Sequence, residues 1–453
     1  MDLLALVKGI NDILWGKLLV FVLCGASILF TFSFRFVQIR MFKKAFKHTF
    51  GGISFKGNKA DEDGMSSFQA LATAIAGQVG TGNLAGAATA IASGGPGAIF
   101  WMWLSAFFGF GTSFSEAVIS QKYRTKVDGQ ICGGPAYYID KGLNSKFLAS
   151  FFAIAMILSA GLTGGMIQSN SIAGAFKMAF NVPGIVVGIV IASVTFLVVS
   201  GGISRIASVT EKLVPIMALL FIIGSLIIIG INASNIIPAF KMIFLGAFNP
   251  KAATGGLIGV GMKEAMRYGV ARGLFSNEAG MGSSPHAHAV AKVNHPVEQG
   301  LVSIVGVFID TFVILTLTAL VILTTGALDG TTTGIELTQQ AFVNGFGSFG
   351  GVFIAVSLFF FAFSTIIGWY FYGELNVKYL VGIKGVKFYK LFIVIVLVLG
   401  TLLEVPIVWQ LADTVNGLMV IPNIIALVYL LKVTKASLID FENKEKEKMK
   451  TSA

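Results

Sequence analysis

The run Ala74-Ile75-Ala76-Gly77-Gln78-Val79-Gly80-Thr81-Gly82-Asn83 interrupts an apolar stretch with three glycines, a glutamine, a threonine and an asparagine. In hydrocarbon an unpaired backbone amide or carbonyl costs several kcal/mol, so irregular backbone persists there only where it lines a cavity or a site. Carbonyls freed at such a break can coordinate a cation, and amides at a half-helix N-terminus favour a carboxylate. Glycines at this spacing also suit close helix packing, but Gln78 and Asn83 sit poorly on a packing face. Gln78, Val79, Gly80, Thr81, Gly82 and Asn83 are therefore candidates to bind something small and polar.

A second break is Phe275-Ser276-Asn277-Glu278-Ala279-Gly280. Ser276 and Asn277 offer side-chain hydrogen bonds, and Glu278 places an ionisable group near mid-depth, where such a group is functional by default. Pairing with Arg272, or capping of a broken helix, is its structural alternative. A third element is Phe361-Ala362-Phe363-Ser364-Thr365-Ile366-Ile367-Gly368-Trp369. Ser364 and Thr365 present adjacent hydroxyl oxygens, and the Phe361 carbonyl one turn earlier is one that such hydroxyls loosen. Oxygen ligands without a carboxylate suit a small monovalent cation, with ordinary back-bonding as the alternative. Trp369 follows Thr365 by four residues on the same face. There an indole leaves room only for a small side chain, unless it merely packs on a neighbouring helix.

Weaker candidates complete the set. Asp310 is a lone carboxylate in an apolar run, a candidate cation or proton partner. Gly165, Gln168 and Asn170 are candidates to line the pocket. Glu116 is expected to be the structural partner of a loop cation. His286 and His288 are too few to make a metal site, and Cys24 and Cys132 imply no disulfide framework.

These residues need elements to hold them. Of 453 residues, 55% are hydrophobic and only 12% charged, against about 25% charged in soluble domains, so the chain reads as an all-α polytopic membrane protein. Eleven apolar spans are expected near 13–34, 66–92, 97–121, 148–177, 183–201, 210–231, 256–290, 298–325, 351–375, 388–405 and 408–431. The apolar run to Phe34 is long enough to span the membrane rather than to be a cleaved leader. The net charge of +11 reflects topology rather than nucleic-acid binding. Lysine and arginine crowd the segments 35–63 (Lys56 and Lys59 included), 122–147 and 376–390, while 327–350 has none and 232–253 has two. That alternation puts the basic loops and the C-terminus in the cytoplasm and the N-terminus outside. The tail 433–453 reads as solvated and partly disordered.

Spans two to six (within 64–232) and seven to eleven (within 254–432) each open with an interrupted helix. Five spans is an odd number, so the halves must be mutually inverted, with residues 1–63 outside the repeat. Paired breaks at matching positions of inverted halves are the best sequence pointer to a transporter's central site. An intramembrane enzyme would need a nucleophile and base or a metal set, and none is present. A channel would want repeated rings along a pore.

Pro96-Gly97-Ala98-Ile99-Phe100-Trp101-Met102-Trp103 closely resembles the signature of alanine or glycine:cation symporters. Gly77 to Asn83, Gly133-Gly134-Pro135-Ala136-Tyr137-Tyr138 and Phe275 to Gly280 look like that family too, and the likeness spans nearly the whole chain. The resemblance implies Na⁺-coupled import of alanine, perhaps glycine, at the cell membrane, on the five-plus-five inverted repeat of leucine transporters. It implies a sodium held by the carbonyls of Ala76, Val79 and Phe361 and the hydroxyls of Ser364 and Thr365. The substrate carboxylate would meet the amides of Gly80 to Gly82, and its amine the carbonyls near Phe275. A cation-coupled or proton-coupled permease for another small amino acid is the alternative.

Overall fold

Where water is absent, backbone hydrogen bonds must close within each segment, so apolar runs of spanning length become helices. The computed structural model describes residues 3–51, 64–248, 261–403 and 405–451, and each of the eleven expected spans is present as a helix or a split helix. Seven are long and apolar enough to cross a membrane: Leu6–Ser33, Ala98–Tyr123, Lys146–Phe180, Gly202–Ile231, Pro296–Thr324, Ser348–Val381 and Val408–Tyr429. The other four fall short for visible reasons. The fifth, Gly184–Ser200, has 17 residues, and the tenth, Ile383–Gly400, opens with Lys384, Lys387 and Lys390. The second and seventh are the split ones. The second runs Ser67–Gln78, breaks, and resumes through a wide π-helical turn, Gly82–Gly86, into Ala87–Gly94. The seventh runs Met262–Asn277, breaks, and resumes at Pro285–Ala289. Its expected start at 256, the repeat boundary at 254, and Lys56 and Lys59 lie outside the described residues.

The two halves pack reciprocally. Third span lies on eighth, fourth on ninth and fifth on tenth. The third also packs on the seventh, as the eighth does on the second, and the fourth on the eleventh, as the ninth does on the sixth. Two five-span halves related by a pseudo-twofold axis produce this reciprocity, and the odd number inverts them. The first span stands outside it, against the third and eleventh.

Two connections hold helices that are too short to span. Ile236–Phe248 sits on the third span, with Phe248 4.7 Å from Phe100; a Cβ on Gly97 would lie 2.2 Å from the Gly246 backbone, so only glycine fits there. Gly334–Phe346 covers the second span, where Thr338 donates to the Leu84 carbonyl at 2.9 Å.

The tail departs from expectation. Leu431–Thr451 is a helix, docked through buried Leu438 and Phe441, three residues apart on one face. Arg40 pairs with Glu442 at 2.8 Å, Lys44 with Glu445, and His295 with Asp440 at 3.1 Å. Hydrogen bonds from Lys444 and then His295 hold the Asp440 carboxyl below its usual range, and Lys44 does the same for Glu445. Composition alone reads such a segment as solvated; its apolar period is what folds it.

Candidate functional site

The first break begins on a firm footing. Ser66 Oγ accepts the Gln69 amide and Gln69 Oε1 accepts the Ser66 amide, a reciprocal cap that fixes where the half-helix starts. The helix stops at Gln78 because Val79 turns extended, with φ −84° and ψ 91°. The ninth span lies directly on this break. A Cβ on Gly80 would stand 2.3 Å from Thr365 Oγ1, and one on Gly368 would stand 2.9 Å from the Gly77 nitrogen. Glycine is required at Gly368 for two backbones to meet, and at Gly80 to leave room for the Thr365 side chain.

Thr365 Oγ1 therefore reaches carbonyls of two elements, Phe361 O at 3.0 Å and Val79 O at 3.5 Å. Ser364 Oγ donates to Phe361 O at 2.8 Å and also lies 3.3 Å from Met217 Sδ. Ala76 is buried in the last turn before the break. The amides freed at the break are taken up by uncharged side chains. Gly80 N–H donates to Asn83 Oδ1 at 3.1 Å and Thr81 N–H to Gln168 Oε1 at 3.4 Å, while Gln168 Nε2 donates back to Thr81 Oγ1 at 3.1 Å.

The second break is built differently. Glu278 caps the half-helix in the left-handed region with φ 58°, and Gly280 and Gly282 follow at φ 90° and 82°. Glu116 from the third span accepts the amides of Gly280 at 3.1 Å and Gly282 at 2.9 Å, together with Asn423 Nδ2 at 2.7 Å. The partners of Glu116 are thus backbone amides and an asparagine, not the loop cation expected from sequence. Arg272 is engaged by Asp413 at 3.1 and 3.2 Å, so the expected alternative of an Arg272–Glu278 pair does not form. Glu278 instead accepts Ser283 Oγ at 2.6 Å and Trp369 Nε1 at 2.7 Å.

Three links join the breaks. Gln78 Nε2 donates to Asn277 O at 3.0 Å. Asp310, inside the wide turn Phe308–Leu315, accepts Asn83 Nδ2 at 2.6 Å, Thr311 Oγ1 at 2.8 Å and Ser276 Oγ at 3.1 and 3.2 Å. The Trp369 indole N–H reaches both Gly77 O, at 3.1 Å, and Glu278. Phe275 borders the junction, its ring 5.8 Å from Trp409 and its Cδ1 3.5 Å from where a Cβ on Gly82 would stand.

Other sequence candidates lie elsewhere. A Cβ on Gly165 would meet Val396 and Leu397 of the tenth span, and it is Gly164 that lies against the Trp369 ring. Asn170 donates to Gly400 O and Leu403 O. His286 is held by Ser283 O and Asn376, and His288 by Gln299. Among the described residues no group of three or more His, Cys, Asp or Glu could hold a metal ion.

Where the two broken helices meet, freed backbone amides and neutral oxygens thus lie beside the buried carboxyl groups of Glu278 and Asp310. The profile of the sodium:alanine symporter family matches residues 1–453. The chain belongs to that family. This symporter is 43% identical, over the whole length of both chains, to the sodium/alanine symporter AgcS of Methanococcus maripaludis. It is 41% identical to the putative sodium/proton-dependent alanine carrier YrbD of Bacillus subtilis, over 97% of this chain and 93% of that one. The probable sodium/glutamine symporter GlnT of Bacillus subtilis is 40% identical over 96% of this chain and 90% of its own. Among solved structures, MhsT in complex with L-phenylalanine superposes with a TM-score of 0.59 at 12% identity, covering 84% of this chain and 98% of that one. The symporter is a multi-pass membrane transporter and not an enzyme.

Proposed function

We propose that this symporter imports alanine, or glycine, together with Na⁺ by alternating access. The observation that carries the reading is Thr365, whose hydroxyl meets the carbonyls of Val79 and Phe361 at the junction of the first break and the ninth span. With Ser364 and the carbonyl of Ala76 these supply uncharged oxygens, the donor set suited to a small monovalent cation. The substrate carboxylate takes the amides of Gly80 to Gly82. Gln168, whose amide oxygen already rests on the Thr81 N–H, yields or turns to share the ligand. The amine meets the carbonyl of Phe275 and the polar groups of Ser276 and Asn277. Trp369 walls the space, so a methyl side chain fits better than a branched one, and this favours alanine over the glutamine of one relative's name. The segments 64–232 and 254–432 rock against each other around this point. The N-terminus faces outward and the basic loops face the cytoplasm.

Alanine uptake into proteoliposomes, with Na⁺, Li⁺ or H⁺ gradients imposed separately, tests the reading. Accumulation driven by Na⁺ alone is expected, and accumulation driven by a proton gradient without Na⁺ would overturn the ion assignment. Counterflow of labelled alanine should occur, which a channel cannot produce. Alaninol, which lacks the carboxylate, should not compete; effective competition would mean recognition through the amine alone.

A further inference from the structure

Glu278 occupies a backbone position that does not favour it. Its φ of 58° is the left-handed conformation that helix ends normally give to glycine or asparagine. The glutamate therefore contributes through its side chain, and that side chain is fully engaged. One oxygen takes the Ser283 hydroxyl at 2.6 Å, which aims the carboxyl, and the other takes the Trp369 indole N–H at 2.7 Å. The same N–H reaches Gly77 O at 3.1 Å. The Glu278 contact is the shorter of the two, so it sets the ring's rotation. On its ring side the indole has no slack, because a Cβ on Gly164 would fall 2.4 Å from Cε3. Trp369 is 5% exposed, and its orientation is fixed from three directions by three different spans.

We propose that Glu278 is the positioning residue for Trp369, so that the side-chain size the pocket accepts is set from the second break. The inference rests on the reading of Trp369 as the pocket wall. Without the carboxyl the indole, still blocked on its ring side at Gly164, keeps only the Gly77 carbonyl and can turn toward the vacated side, and the wall yields to larger substrates. A residue that merely capped the seventh span would affect stability and overall affinity but leave the ratio of large to small substrates unchanged.

Competition of a glycine, alanine, valine and leucine series against labelled alanine reads that ratio directly. Glu278→Ala should raise the leucine-to-alanine affinity ratio about tenfold, the scale on which a pocket wall discriminates. Glu278→Gln, which keeps an acceptor oxygen in place, should stay near the wild-type ratio. The double variant Glu278→Ala/Trp369→Ala should match Trp369→Ala, because a wall that is gone needs no positioning. An unchanged ratio in folded Glu278→Ala, or a further shift in the double variant, overturns the proposal. Should Glu278→Ala fail to fold, Glu278→Asp, which withdraws the acceptor by one methylene, is read by the same two outcomes. If Trp369→Ala itself leaves the ratio unchanged, the wall reading falls. If Trp369→Ala shifts the ratio and Glu278→Ala does not, only the role of Glu278 falls.

Discussion

The two broken helices occupy equivalent places in the two halves, yet their loose backbone groups are satisfied in opposite ways. At the first, uncharged amide side chains hold the Gly80 and Thr81 N–H groups, one of them at 3.4 Å. At the second, the buried Glu116 side chain of the third span holds Gly280 and Gly282. One carboxyl group there takes three donors, counting Asn423 Nδ2, and a buried donor left without a partner costs about 1–3 kcal/mol. The first break can exchange its partners for a ligand at small cost, while the second is braced. Inverted repeats thus share a path for the chain without sharing a role.

Breaking the brace should have the largest effect. Glu116→Ala strands two buried amides, each costing about 1–3 kcal/mol, and leaves Asn423 Nδ2 only the Gly280 carbonyl. Collapse of monodisperse yield in detergent, or a large fall in Tm, is expected, with partial recovery in Glu116→Gln. A Tm unchanged by Glu116→Ala would mean that the second break needs no brace. Gly80→Ala strikes the first break instead, forcing a Cβ to 2.3 Å from Thr365 Oγ1. Overpacking of this kind costs about 1–3 kcal/mol, so the protein should still fold but lose most alanine transport. Normal uptake would remove the close contact from the functional argument. A milder variant sharpens the comparison further: Ser364→Ala/Thr365→Ala should raise the half-saturating Na⁺ concentration about tenfold, from the loss of hydrogen-bond-scale ligand energies, with little change in Tm. A wild-type Na⁺ dependence would place the ion elsewhere.

The smallest effect belongs to a region remote from both breaks. The Glu445 carboxyl, held below its usual range by Lys44, contributes docking energy at neutral pH that is lost as acid protonates it; of the Asp440 depression only the His295 share does so, since Lys444 lies on the same helix. Salt screens the same pairs. Limited proteolysis within 431–451 should therefore speed up in acid or high salt, with alanine transport unaltered. Cleavage indifferent to both would mean that Leu438 and Phe441 dock the helix alone.

Much of this was legible in the sequence because a membrane forbids irregular backbone without a reason. The glycines and amides of 77–83 marked the first break, and Glu278 among apolar residues marked the second. Even the seventh span, with five charged residues, was recoverable once its break was matched to the first. Partners were harder to read. Nothing local to Glu116 says that it reaches across to Gly280 and Gly282, since that contact joins residues more than 160 positions apart. Ile236–Phe248 and Gly334–Phe346 escaped because 13-residue helices fall below the length that hydropathy detects. Gly164 and Gly165 are adjacent and chemically identical, and only the rotation of the fourth span decides which one meets Trp369.

That rotation carries a consequence of its own. The fourth span contains the wide turn Ile157–Gly164, and the eighth contains Phe308–Leu315 around Asp310. A π-helical turn is what a helix makes when it absorbs one surplus residue without unwinding. Excising a single residue from either turn would let it tighten to 3.6 residues per turn. Because that tightening takes up the missing residue, the helix beyond would keep nearly its present rotation; what would change lies inside the turn, where Asp310 meets Asn83 and Ser276. The surplus residue is in that sense a local device: it sets where Asp310 stands inside its own helix while the rest of the helix stays in step.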